Sequence, residues 1–193
     1  MSLFSVLISN AERVIALDTT TIYGNAFSKA KHTELESAFK KVGPQTANII
    51  AIEAPSYGEG QYTADDIRFI VTTAYTGFKA AQILANKTYT LNANTKSESN
   101  QENTNTPRTK VHTGWWGCGA YGNNRQLMLV AQILAANWAQ INEIVFHVQN
   151  NEHQEDINQA KKIVEELLTE KDVDQVIEKL VQKNFNWEKS NNA

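Results

Sequence analysis

One cysteine, Cys118, in 193 residues excludes an internal disulfide framework and denies a zinc site any second thiolate. Nor is there an apolar run approaching the ~18 residues of a membrane span, so no membrane partner is expected. Basic charge is not in excess. The 18 Lys and Arg face 21 Asp and Glu, and a net charge of −3 lacks the basic face that duplex nucleic acid demands. The opening run from Met1 to Ser9 is apolar but has no basic n-region and no long h-region. It reads as the end of a helix or an incoming strand. With a lone thiol suited to a reducing compartment, an intracellular protein, cytoplasmic or nuclear, is expected. His32, His112, His147 and His153 show no tight ligand spacing, so neither a metal nor a cofactor is expected.

What is present suits one α/β domain over residues 1–193. Hydrophobic content of 41% with 20% charged residues is that of an ordinary globular chain. Arg13 to Asp18 is a short apolar run ending in an acid. A polar stretch from Ala30 to Lys41 reads as a helix stopped by Gly43-Pro44. Asn48 to Glu53 is the clearest strand, ended by Ala54-Pro55. Thr63-Ala-Asp-Asp66 resembles a capping box opening a helix with Ile67, Ile70, Val71, Ala74, Phe78 and Ala81 on one face. From about 86 to 109 the chain turns to Asn, Thr, Ser, Lys and Glu. That composition cannot repay the entropy of ordering, and predicts a mobile insertion. Lys110–Thr113 is a weak strand, Leu127–Trp138 a helix apolar nearly all round, and Glu143–Val148 a good strand. Two amphipathic helices follow. The alternation argues for a sheet with helices on both faces.

The chemistry concentrates in Thr113-Gly-Trp-Trp-Gly-Cys-Gly-Ala-Tyr-Gly-Asn-Asn124. A loop so poor in side chains bares its backbone N–H groups and runs into a helix N-terminus, and both favour a phosphate or pyrophosphate. Gly117 to Gly122 also fits G-x-G-x-x-G. A dinucleotide site, however, needs an acid at the end of the next strand, where Val148-Gln149-Asn150 stand instead. A plain tight turn between strand and helix remains open. If the sheet is largely parallel, its carboxyl ends gather Asp18 to Tyr23, Glu53 to Tyr62, the glycine-rich loop and Gln149 to Glu152 into a nucleotide-sized cleft. Glu53 there is either a general acid or a solvated strand-end carboxylate. Cys118, between glycines, is better explained by its small size than as a nucleophile. Trp116 and Trp138 are expected in the core.

Thr113 to Gly122 is similar to the macrodomain pattern Thr-Gly-Asn-Trp-Gly-Cys-Gly-Ala-Phe-Gly of the poly(ADP-ribose) glycohydrolases. The resemblance extends to Ile49 to Ala54, to Ala74-Tyr-Thr-Gly-Phe78, to Leu127 with Ile133 to Ala136, and to Asp172 to Leu180. It implies a macrodomain-like sheet with helices on both faces, incomplete at one edge, that binds ADP-ribose or its polymer. Gly117, Cys118, Gly119, Ala120 and Tyr121 would wrap the diphosphate, with Tyr23 and Trp115 as further ligand-binding residues. The chain also departs from the family. Trp115 replaces the pattern's asparagine, Val148 falls near an adenine-stacking aromatic, and the Gly-Gly-Gly…Gln-Glu-Glu catalytic loop has no counterpart. Three expectations follow from this. One is hydrolysis of ribose–ribose bonds if a partner segment supplies the glutamate, with Glu53 a weak substitute. The others are a non-enzymatic reader, or an interaction protein that has lost the nucleotide site.

Overall fold

The computed structural model describes residues 5–18, 20, 22, 25–95, 107–147 and 153–190. In chain order the elements are β1 (Ser5–Leu17), α1 (Asn25–Lys29), α2 (His32–Ala38), β2 (Phe39–Ile52), α3 (Ala64–Thr95), β3 (Lys110–Thr113), α4 (Arg125–Trp138), β4 (Glu143–Phe146), α5 (Gln154–Leu167) and α6 (Val173–Gln182). The chain is α/β, but its described strands form two separate pairs, not one parallel sheet. β3 and β4 are parallel, with Lys110 opposite Glu143 and Thr113 opposite Phe146. β1 and β2 are antiparallel, with Ser5 opposite Ile52 and Leu17 opposite Phe39.

That antiparallel register corrects two expectations. The stretch from Ala30 to Lys41 is not one helix: α2 ends at Ala38, and β2 runs straight through Gly43-Pro44. Between the Arg13–Gln45 and Ile15–Lys41 pairs, β2 sets Val42, Gly43 and Pro44 against Val14 alone, which is a bulge. Pro44 has no N–H for the ladder, and a bulge is where a strand tolerates that loss. The second correction concerns strand ends. Asp18 follows β1 beside Phe39, whereas Glu53 follows β2 beside Ser5, so the two acids lie at opposite ends of a ribbon about 40 Å long. They do not converge.

The helices carry the core. Thr63 and Asp66 make the reciprocal cap read from the sequence. The Asp66 N–H donates to Thr63 Oγ1 at 3.2 Å, and the Thr63 N–H donates to the Asp66 carboxylate at 2.9 Å. Ile67, Ile70, Val71, Ala74 and Phe78 are buried as their helical spacing predicts. They meet α4, where Leu127, Met128, Leu129, Val130, Ala131, Leu134 and Ala135 are wholly buried. Ala160, Val164 and Leu167 of α5 and Val176, Ile177 and Leu180 of α6 complete the larger cluster. A Cβ on Gly77 would lie 2.7 Å from Ile50 and 2.9 Å from Ile52, so this glycine lets α3 approach β2.

α3 continues to Thr95, well into the segment predicted as a mobile insertion. Asn and Thr are poor helix formers, but extending an existing helix needs no new nucleus. Of the rest of that predicted insertion, 96–106 lies outside the described residues, and Thr109 is buried with its N–H donating to Asn142 Oδ1 at 2.7 Å. Among the described residues no helix is long and apolar enough to cross a membrane.

Candidate functional site

The glycine-rich loop is strung between the end of β3 and the start of α4, and α4 pins its entry. Gln132 is almost fully buried on α4. Its Oε1 accepts from the Thr113 hydroxyl at 2.6 Å, and its Nε2 donates to the Gly114 carbonyl at 3.3 Å and to the Met128 carbonyl at 3.0 Å. The loop then folds on itself. Trp116 N–H donates to Gly114, Cys118 N–H to Trp115, Gly122 N–H to Gly119 and Asn123 N–H to Gly117. Gly117 has φ +71°, and a Cβ there would sit 2.6 Å from Ala54 Cβ and from Asn123 Nδ2. Conformation and close packing both demand glycine at this position. At the exit, Asn124 Oδ1 accepts the Leu127 N–H at 3.0 Å and caps α4.

These turns leave the middle of the loop unpaired. The backbone N–H groups of Gly117, Gly119, Ala120 and Tyr121 make no hydrogen bond among the described residues. Three of these N–H groups are consecutive, and such a run is suited to an anion. Beneath them, Asn123 is completely buried and fully engaged. Its Nδ2 donates to the Pro55 carbonyl at 2.7 Å and the Gly117 carbonyl at 3.1 Å, and its Oδ1 accepts from the Tyr62 hydroxyl at 3.1 Å. The Tyr62 hydroxyl accepts in turn from the Asn124 N–H at 2.8 Å. Burial pushes the Tyr62 hydroxyl far above the usual tyrosine range, so it stays protonated. Burial likewise pushes the Cys118 thiol up to about 12, and it donates weakly to the Trp116 carbonyl at 3.5 Å. A thiol so held is a small packed side chain without thiolate character.

Two tyrosines stand at the rim. Tyr121 is 40% exposed and Tyr57 71% exposed, with their rings edge to face at 5.8 Å. Tyr57 N–H donates to the Tyr121 carbonyl at 3.3 Å, and Tyr57 has φ +59°, a strained setting for a bulky residue. Trp115 lies below the Arg125 guanidinium at 4.9 Å and meets the His153 ring edge-on at 4.8 Å. Arg125 Nη1 is 3.5 Å from His153 Nδ1, which is 3.2 Å from the Asp156 carboxylate. Trp115 and Trp116 also line one end of a cleft of about 1330 Å³ between β2 and β3, floored by Phe78 and Leu84 of α3. Glu53 lies on its rim, solvent-exposed, and is the one carboxylate among the described residues lining it.

The structure thus sets Gly117 and Tyr121 of the loop against Ala54 and Tyr57, whereas Trp115 packs against Arg125 and His153. Tyr23, Val148 and the 149–152 run lie outside the described residues. His112 Nδ1 on β3 and His147 Nε2 just past β4, far apart in sequence, are 2.9 Å apart. No group of three or more His, Cys, Asp or Glu suited to a metal occurs among the described residues. Sequence reasoning passed over Gln132, and it included Asn123 and Tyr57 only as members of the loop and of the 53–62 run. A pair of asparagines before an apolar run signals one cap, not that the first of the pair is buried.

The chain matches a known protein family. Residues 4–156 fit the family described as poly(ADP-ribose) glycohydrolase, macro domain fold, a span that runs from the start of β1 into α5 and contains the whole glycine-rich loop.

Proposed function

The chain belongs to the poly(ADP-ribose) glycohydrolase family, and from that membership we propose that it binds ADP-ribose, as the free nucleotide or within its polymer. The diphosphate lies on the N–H groups of Gly117, Gly119, Ala120 and Tyr121. That set of amides, without a hydrogen bond among the described residues and held by a glycine at φ +71°, is the observation that carries the reading. The Tyr121 and Tyr57 rings flank the ligand, and Trp115, stiffened by Arg125 and His153, forms a wall.

Cleavage of a ribose–ribose bond requires an acid at the leaving oxygen and stabilisation of an oxocarbenium-like centre. Glu53 alone on the cleft rim supports only one of those roles. Hydrolysis therefore depends on a segment that brings the catalytic glutamate. β2 and β3, each the edge of a two-stranded pair among the described residues, both line the cleft that ends at Trp115 and Trp116, which supports entry of such a segment there. The lone carboxylate favours a second reading for the chain by itself, a reader that binds without turnover.

Calorimetric titration of ADP-ribose, with NAD as control, tests binding, and incubation with the polymer tests turnover. We expect micromolar binding of ADP-ribose, and its loss in Gly119→Glu at an unchanged Tm, because that side chain puts bulk and negative charge at the amides. Wild-type affinity in Gly119→Glu would remove the loop from the account.

A further inference from the structure

Past α6, residues 185–190 return across the site as a strap. Tyr62 N–H donates to the Phe185 carbonyl at 3.1 Å and Trp187 N–H to the Gly60 carbonyl at 2.9 Å. The Trp187 ring stacks on Tyr62 at 4.4 Å. A Cβ on Gly58 would lie 2.0 Å from that indole, so glycine admits the strap. The strap then reaches the glycine-rich loop. Glu188 N–H donates to the Gly122 carbonyl at 2.8 Å, Asn124 Nδ2 to the Asn186 carbonyl at 3.0 Å, and the Ser190 hydroxyl to the Ala120 carbonyl at 2.7 Å. Gly122, at φ +68°, would bring a Cβ within 2.5 Å of the Glu188 carbonyl.

This strap delivers a charge to one place. Glu188 Oε1 accepts the N–H of Arg125, the first residue of α4, at 3.0 Å. The positive pole of α4, which the sequence offers to a phosphate, therefore already holds a carboxylate. The Arg125 side chain lies elsewhere, over Trp115 and against His153. The Glu188 charge is felt beneath the loop, where it adds to burial in keeping Cys118 and Tyr62 protonated.

We propose that Glu188 sets the charge limit of the diphosphate site, admitting a diphosphate esterified at both ends and rejecting phosphates with a free terminal group. The inference rests on the diphosphate reading of the loop. A doubly esterified diphosphate carries one charge on each phosphate. A free terminal phosphate ionises again near pH 6 and so brings more charge at neutral pH. Glu188 repels that extra charge, leaving the Gly119 to Tyr121 amides to the less charged ligand.

Glu188→Gln separates charge from architecture, since its amide oxygen still accepts the Arg125 N–H. Calorimetric titration of ADP-ribose and of inorganic pyrophosphate into wild type and variant gives a ratio of affinities that general loosening of the loop does not move. Wild type is expected to favour ADP-ribose. In Glu188→Gln that preference falls about threefold or more through tighter pyrophosphate binding, in line with the strength of a charge at a helix terminus. Glu188→Asp, which keeps the charge, retains the wild-type ratio. An unchanged ratio in Glu188→Gln, or equal weakening of both ligands, overturns the assignment and leaves Glu188 as an anchor of the strap. If ADP-ribose binds neither protein while pyrophosphate binds the variant more tightly, the ADP-ribose reading fails and the charge limit stands. No binding of either ligand to either protein overturns both.

Discussion

The helices and the β1–β2 ribbon are equally apolar in places and differ in what they do with it. α4 has Leu127 through Ala131 fully enclosed, whereas the ribbon leaves Val6, Ile8, Ile15, Phe39 and Ile49 roughly half exposed. Each strand of the ribbon pairs with the other, and β2 meets α3 at Ile50 and Ile52, but much of its apolar surface has no described cover. The site divides along the same line. Gln132, Asn123 and Asn124, which shape the glycine-rich loop, sit on or beside α4. Glu53, the weak acid candidate, follows the ribbon. The glycine-rich loop therefore belongs to the enclosed half of the molecule, and Glu53 to the half whose apolar surface has little cover among the described residues.

The largest test of that contrast pairs Leu134→Ala with Ile8→Ala in urea denaturation. Leu134 is wholly enclosed, so its truncation is expected to cost about 2–5 kcal/mol. Ile8 is 45% exposed and should cost about 0.5 kcal/mol or less. A comparable loss at both sites would mean that the ribbon is covered in solution and would dissolve the comparison. Asn123→Ala comes next, at about 1–3 kcal/mol, because it strands the buried Pro55 carbonyl and the Tyr62 hydroxyl. The same change should weaken ADP-ribose binding, and an unaltered affinity would show that the loop keeps its shape without that anchor.

A further effect appears only at alkaline pH. An acid whose folded pKa is raised favours the folded state while protonated, and that advantage is lost as pH climbs. For Cys118 the stability is present below pH 9, the ordinary thiol value, and declines between 9 and about 12. Wild type should lose stability over that window relative to Cys118→Ala, read as the difference in Tm. A difference that stays constant from pH 8 to 11 would place the thiol in contact with water.

Much of the helical half was legible in residue patterns. The capping box at Thr63, the face from Ile67 to Phe78 and the all-round apolar α4 each rest on local periodicity that tertiary packing only reinforces. The ribbon was not. A proline signals a stop unless a bulge absorbs it, and the Arg13–Gln45 register that creates the bulge depends on a partner strand some thirty residues away, beyond any local reading. The bare loop amides followed from glycine content and spacing. The buried Asn123 and the Glu188 carboxylate did not, because both act across long sequence separations.

α3 has a consequence for how the molecule tumbles. A helix from Ala64 to Thr95 is about 48 Å long, and its surface from Asn86 to Thr88 is open to solvent. In a chain of 21.6 kDa such a spar is long relative to the rest of the fold. Amide vectors of α3 run nearly parallel to its axis along the whole helix and so share one orientation in the tumbling frame. A spin label near Thr88 would report that tumbling while standing several turns away from the capping box that anchors α3 beside the loop.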